Sequence, residues 1–205
     1  MSTPKLIDIT PFEPLIIKTH YDGFDWKKLQ PVCENLIKNT QIKSHLEQGE
    51  ALSSAGYQEK QPHIMPEFAD FYKWLDPIAQ HIIKKEWCLY NKFKYIVSNS
   101  WVNVHGYGGE TTVHHHGITV LTIAAYLQFP KNGGYIQFKD PLEYYKGFNM
   151  KNEDEEEYTW KTAEAEVGDV ILFPGWIRHR TQKNMSKDNR WVLTTNYMAI
   201  PSAKW

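Results

Sequence analysis

Three histidines carry the chemistry that this chain could perform. His114 and His116 lie in Thr111-Thr112-Val113-His114-His115-His116-Gly117, directly before the apolar run from Ile118 to Leu127. Side chains alternate across an extended strand, so His114 and His116 are expected on one face and His115 on the other. Two imidazoles on one face offer two nitrogen ligands at a fixed separation, a set that suits Fe, Zn, Cu or Ni. The candidate for a third ligand is His179, which closes Gly168-Asp169-Val170-Ile171-Leu172-Phe173-Pro174-Gly175-Trp176-Ile177-Arg178-His179. Eleven residues on, Arg190 opens the last apolar stretch. A buried arginine close to a metal is a bidentate docking point for a carboxylate.

A single histidine in a strand is most often a surface residue or a hydrogen-bonded core residue. His20, His45, His63, His81 and His105 have no partner pattern that lifts them above that reading. Gly168-Asp169 reads as a tight turn between strands, with Asp169 structural. Trp101, Trp176 and Trp191 read as barrel packing, and Trp176 is the candidate cavity wall because it stands nearest a ligand in sequence.

The elements that must position these groups are mostly strands. Tyr95 to Val104 alternates and is rich in β-formers. It is followed by Glu110–His116, Thr119–Phe129, Tyr135–Lys139, Thr159–Ala165, Val170–Phe173, Arg178–Gln182 and Trp191–Ala199. Eight short strands with turn signals between them predict an antiparallel sandwich or barrel. Upstream, Ile7 to Ile17 reads as an extended edge segment interrupted by Pro11 and Pro14. Asp25 can cap a helix reaching about Lys38, its regularity limited by Pro31. Thr40 to Pro62 is polar and reads mostly as loop. A stronger amphipathic helix follows Pro66 and packs on a sheet, with Pro77 expected to kink or split it.

At 205 residues the chain is expected to be one domain, with N-terminal helical support over about 1–92 and a barrel over about 93–200. Its 41% hydrophobic and 23% charged residues are ordinary for a globular protein, while 14% aromatic residues, eight of them Trp, suit a sheet-rich core with a hydrophobic cavity. A net charge of -1 supplies no drive toward nucleic acid or an anionic membrane. Cys33 and Cys88 are too few for a disulfide framework, and neither a signal peptide nor a membrane span is seen, so the expected location is cytoplasmic. The acidic run Glu153-Asp154-Glu155-Glu156-Glu157 reads as a solvated loop, with a lid selecting a basic substrate as the sharper alternative. The N-terminal helices could cover the barrel or form the face of a homodimer.

In this order His-x-His, some sixty residues, Gly-Asp-x-x-x-Phe-Pro-x-x-x-x-His and an Arg at +11 resemble the iron(II)/2-oxoglutarate-dependent oxygenases, in particular a group of bacterial and phage proteins with a His-x-His motif. Ser100-Trp101-Val102-Asn103, Leu121 to Leu127 and Phe138-Lys139-Asp140-Pro141 extend the resemblance over roughly 95–199, with a weaker echo at 9–37. It implies a double-stranded β-helix, a jelly-roll or cupin-like barrel with the N-terminal helices packed on the sheet. It also implies Fe(II) on His114, His116 and His179, with 2-oxoglutarate as cosubstrate and O2 as oxidant. Arg190 falls where the family's arginine holds the cosubstrate's C5 carboxylate, and Asn103 and Tyr126 match positions that hydrogen-bond it. The implied reaction is hydroxylation of a small molecule or protein side chain, with succinate and CO2 released.

One departure bears on the metal. The common facial set is His-x-Asp/Glu…His, whereas His116 stands at the second position. Three neutral imidazoles also resemble cupin sites that work without 2-oxoglutarate, and Asp140 or Glu110 could supply a carboxylate instead. A non-enzymatic jelly-roll binding module is the third alternative.

Overall fold

The computed structural model describes residues 16–40, 44–57, 59–86, 92–142 and 159–202. Most of the expected edge segment 7–17, Cys88 and the acidic run 153–157 lie outside them. The described chain is mainly β with two flanking helices, in the order β1 (Ile17–His20), α1 (Trp26–Lys38), β2 (Glu47–Gln48), β3 (Ala51–Ser53), α2 (Ala69–His81), β4 (Phe93–His105), β5 (Glu110–Thr111), β6 (Leu121–Gln128), β7 (Ile136–Lys139), β8 (Trp160–Ala163), β9 (Asp169–Pro174), β10 (His179–Thr181) and β11 (Arg190–Pro201). A six-stranded antiparallel sheet runs β1-β9-β6-β11-β4-β3. It faces a three-stranded sheet β10-β7-β8, and β2 pairs with β5 at one rim. This is the double-stranded β-helix.

The helices cover the outer face of the large sheet. In α1 the buried residues are Leu29, Cys33 and Leu36, and in α2 they are Phe71, Leu75 and Ala79, each set a stripe at helical spacing. They join Val102, Val104, Ile123, Leu172, Leu193 and Tyr197 in one core. Leu36 and Leu75 have no exposed surface, and burying each contributes about 1.5–3 kcal/mol. A second core lies between the sheets, built from Tyr126, Ile136, Phe138, Ile171, Phe173, Ile177 and Val192. Covered on both faces, β9 is buried along its whole length, which is why its sequence from Val170 on is a continuous apolar run rather than an alternating one.

Several local expectations are corrected. Asp25 stands at the N-cap of α1 but makes no capping bond, because its carboxylate pairs with Lys28 at 3.0 Å. The helix runs through Pro31. Likewise α2 passes through Pro77 undivided, and the irregularity comes after it, as a wide π-type turn over Ile82–Glu86. The polar stretch read as loop contains β2 and β3, which pair with the rim at β5 and β4. No described helix is long and apolar enough to cross a membrane.

Strand β4 carries a β-bulge. Asn196 pairs with Asn99 and Tyr197 with Val97, leaving Ser98 unmatched. On one side of it Asn99, Trp101, Asn103 and His105 face the cavity between the sheets; on the other Tyr95 and Val97 pack toward the helices. Strand β11 keeps its alternation throughout, with Arg190, Val192, Thr194 and Asn196 facing the cavity.

Candidate metal centre

His114 is not part of a regular strand, contrary to the expectation for 110–116. It forms an isolated antiparallel bridge with His179, whose backbone groups exchange hydrogen bonds with its own at 3.0 and 2.9 Å. Residues directly opposite in such a bridge project their side chains to the same face, so the bridge itself brings the two rings together. His116 is held two residues on, its N–H donating to Gly175 O at 2.8 Å. This approach needs a glycine, since a Cβ at Gly175 would stand 2.3 Å from Thr119 O. The expected alternation survives without the ladder: His114 and His116 are half-buried and His115 is exposed.

One nitrogen from each of His114, His116 and His179 lies within 4.8 Å of the others. His114 Nδ1 is 2.8 Å from Thr112 O and His179 Nδ1 is 3.0 Å from Ile177 O. A carbonyl only accepts, so both Nδ1 atoms carry the proton and both Nε2 lone pairs are free. His116 Nε2 lies 3.3 Å from His179 Nε2. A metal about 2.1 Å from each nitrogen would see them at an angle of about 100°, between the octahedral and tetrahedral values. Burial pushes all three imidazoles below their ordinary range, His116 to about 3 and His179 well down, with neighbouring histidines adding to the effect. Neutral rings are what metal ligation requires. Among the described residues no carboxylate joins this group. Asp140 accepts from Leu142 N–H at 2.8 Å, and Glu110 lies 3.9 Å from Lys183.

The three rings stand in the wall of a cavity of about 240 Å3, a little below the range usual for small-molecule pockets. Arg190, Asn103 and Tyr126 line the same cavity. Arg190 is fully buried. One terminal nitrogen donates to the carbonyls of Gly133 and Gly134, both at 2.6 Å, and of Gln182 at 3.2 Å, and the other to Thr181 Oγ1 at 3.0 Å. Among the described residues its Nε has no partner, and neither has Asn103 Oδ1, although Asn103 Nδ2 donates to Thr194 Oγ1. Burial brings the guanidinium down to about 10, so it stays charged at neutral pH, and holds the Tyr126 phenol up at about 12, so that it stays a neutral donor. A buried cation with an unused N–H beside a phenol and an amide fits a carboxylate.

Glu47 and His105 were not singled out by the sequence. Glu47, from the segment read as loop, lines the cavity with a side chain only 4% exposed. Thr111 Oγ1 donates to its Oε2 at 2.9 Å and in turn accepts from His105 Nε2 at 2.8 Å. Only the Gly49 turn hints at this strap: Gly49 has φ +64°, and a Cβ there would meet Gly108 O at 2.5 Å. Trp176 is 53% exposed and takes no part in the cavity; Trp101 does, its ring 5.8 Å from that of His116. Trp191 packs on Trp26 in the outer core. Asp169 accepts from His20 and Lys18 at the edge of the large sheet.

Residues 99–196 match the family model described as "Putative 2OG-Fe(II) oxygenase". The chain has no match among the curated proteins compared. Among solved structures it is similar to a Pseudomonas putida prolyl-4-hydroxylase, at 11% identity and a TM-score of 0.59, over 92% of this chain and 94% of that one. It is similar too to HygX from Streptomyces hygroscopicus, solved with nickel and 2-oxoglutarate, at 11% identity and a TM-score of 0.58, covering 91% and 83% of the two chains. The carbocyclase SnoK of nogalamycin biosynthesis gives 15% identity and a TM-score of 0.61, over 92% and 82%. At these identities the likeness is one of fold.

Proposed function

Starting from a barrel whose residues 99–196 match the 2OG-Fe(II) oxygenase family, we propose that this chain is an iron(II)- and 2-oxoglutarate-dependent dioxygenase that hydroxylates its substrate. His114, His116 and His179 hold the iron, and Arg190, with Asn103 and Tyr126, holds the cosubstrate. The observation that carries this reading is the pairing, in one cavity, of three converging neutral imidazoles with a buried arginine whose Nε lacks a partner among the described residues. Bound iron, with 2-oxoglutarate and O2, would supply oxidative decarboxylation to succinate and CO2 coupled to insertion of oxygen into a substrate C–H bond.

The protein's own residues do the rest. Thr112 and Ile177 fix the His114 and His179 tautomers through their carbonyls, so neither ring has to turn to receive the metal. Arg190 is immobilised by its carbonyl contacts and presents its Nε edge to the C5 carboxylate. Three neutral ligands leave the metal its full charge, which a dianionic cosubstrate balances.

The test is anaerobic addition of Fe(II) and then 2-oxoglutarate to the apoprotein, followed by visible absorption. The expected result is the charge-transfer band of a chelated 2-oxo acid, absent in His114→Ala and His179→Ala. Iron binding without the band would make this a direct three-histidine centre of the cupin type. No metal binding at all would leave a binding module.

A further inference from the structure

The cavity holds a second buried charge to which the proposed reaction gives no task. Among the described residues that line it, Arg190 is the one permanent cation and Glu47 the one carboxylate. The arginine is fully buried and the glutamate side chain is only 4% exposed. Opposite charges sealed in one low-dielectric space ordinarily close on each other, because contact offsets the cost of stripping both of water. These two do not: among the described residues no ion pair joins them, and other side chains occupy the space between.

Those side chains form a continuous path. Glu47 Oε2 accepts from Thr111 Oγ1 at 2.9 Å, and His105 Nε2 lies 3.1 Å from the same oxygen. The backbone N–H of Thr111 donates to Thr181 Oγ1 at 2.9 Å, and an Arg190 terminal nitrogen donates to that same oxygen at 3.0 Å. The sheets set the spacing. Glu47 pairs with Thr111 across β2 and β5, and Arg190 pairs with His105 across β11 and β4. The negative charge still reaches the arginine, where it works against the effect of burial.

Resting on the reading of Arg190 as the holder of a carboxylate, we infer that Glu47 is the internal counter-ion of Arg190, kept at a distance by Thr111, Thr181 and His105 so that the guanidinium stays charged while its free edge stays open. A direct pair would fill the fork and leave nothing to offer an incoming carboxylate. An arginine ringed by dipoles alone would bear its desolvation with no opposite charge nearby. The spaced pair meets both demands. The same negative charge repels an incoming carboxylate, so Glu47 also limits how tightly the C5 carboxylate is held. It is a positioning residue that acts through Arg190.

The test compares the full-length wild type with Glu47→Gln and Glu47→Asp. Urea unfolding is followed on the apoprotein. Binding of 2-oxoglutarate and of 2-oxopentanoate to the Fe(II)-loaded protein is followed by anaerobic calorimetry. 2-Oxopentanoate has the same 2-oxo acid head and a methyl group in place of the C5 carboxylate. Glu47→Gln keeps the shape and one acceptor oxygen but removes the charge, so it should lower the urea midpoint. It should nevertheless tighten 2-oxoglutarate by about 3–30-fold, the range for one unit charge roughly 8–12 Å away at an effective dielectric of about 20–40, and leave 2-oxopentanoate within about twofold. Glu47→Asp keeps the charge and should bind 2-oxoglutarate as the wild type does. Glu47→Met, uncharged and close in shape, replaces the glutamine variant where that does not fold, with the same direction expected. A glutamate that only held β2 in place would give weaker 2-oxoglutarate binding in Glu47→Gln. That result, unchanged affinity, or equal tightening of 2-oxopentanoate overturns the inference. If the wild type binds the two acids equally, the reading of Arg190 falls and this inference with it. Wild-type discrimination with an indifferent Glu47→Gln removes the counter-ion alone.

Discussion

At one end of the cavity three imidazoles stand on a turn, an isolated bridge and the start of a short strand, tied by a few backbone hydrogen bonds. At the other, Arg190 opens a long central strand and is clasped by three carbonyls and a hydroxyl, with Glu47, Thr111 and His105 beside it. The first end leaves lone pairs bare and keeps charge out. The second buries a charge and surrounds it with dipoles. A metal can be received only where donors are uncommitted, and a carboxylate is best received where a cation is already desolvated and cannot swing away. The contrast separates the two binding roles proposed for this cavity, which substitutions can take apart.

The largest effect should come from the histidine end. His179→Ala removes a proposed ligand and is expected to lower Fe(II) affinity by more than the roughly 100-fold that marks loss of an outer partner, as read by chelator competition. Next comes Arg190. In Arg190→Ala the carbonyls of Gly133, Gly134 and Gln182 lose a charged donor, so urea unfolding should show a loss of about 3 kcal/mol. Arg190→Lys keeps the charge without the fork. It should weaken 2-oxoglutarate at least about tenfold in titrations followed at the charge-transfer band, with Fe(II) affinity near wild type. If the lysine variant bound 2-oxoglutarate normally, the division of labour between the two ends would collapse.

Acid sharpens the comparison, because both ends contain neutral buried histidines. The imidazoles of His105, His114, His116 and His179 are all pushed below their ordinary range, chiefly by burial; for His105 the nearby Arg190 adds to it. Below about pH 6.5 the unfolded chain binds more protons at these positions than the folded one, so stability rises with pH there and is lost as pH falls toward the folded values. Each group contributes a slope of at most about 1.4 kcal/mol per pH unit. Apoprotein melting between pH 7 and 5 should therefore fall steeply. His105→Gln and His116→Gln should each flatten the curve by one group's worth, the second only while no metal is bound.

The smallest effect belongs to Trp176→Ala, which should change stability by no more than about 0.5 kcal/mol and leave both ligands unaffected. Trp101→Ala, in the cavity wall, should weaken the metal end alone.

What could be read from the sequence follows this same division. The barrel strands were legible because their apolar runs are bounded by turn residues, and each expected strand from Tyr95 to Ala199 overlaps an observed one or, for 110–116, a bridge. The convergence of His114, His116 and His179 was legible because alternation depends on an extended backbone and survives the loss of a ladder. Glu47 was not legible: it belongs to two residues of strand in a polar segment, held by pairing with β5 rather than by its own propensity. Trp101 and Trp176 were misassigned because nearness in sequence to a ligand says little where a turn such as Pro174–Ile177 swings a side chain outward. The contact of Asn196 Nδ2 with His116 Nδ1, at 3.3 Å, was out of reach, since it joins a strand to a turn residue 80 positions away.

The unmatched Ser98 acts like a frameshift in an alternating code. Before it, odd-numbered residues of β4 serve the helices; after it, odd-numbered residues serve the cavity. Drawing Ser98 into the ladder opposite Tyr197, with no change of sequence, would turn Tyr95 and Val97 inside out. Because the frame is reset there, the stretch that seats the helical layer and the stretch that walls the cavity meet at a single joint. Each can be rewritten in its own register without garbling the other.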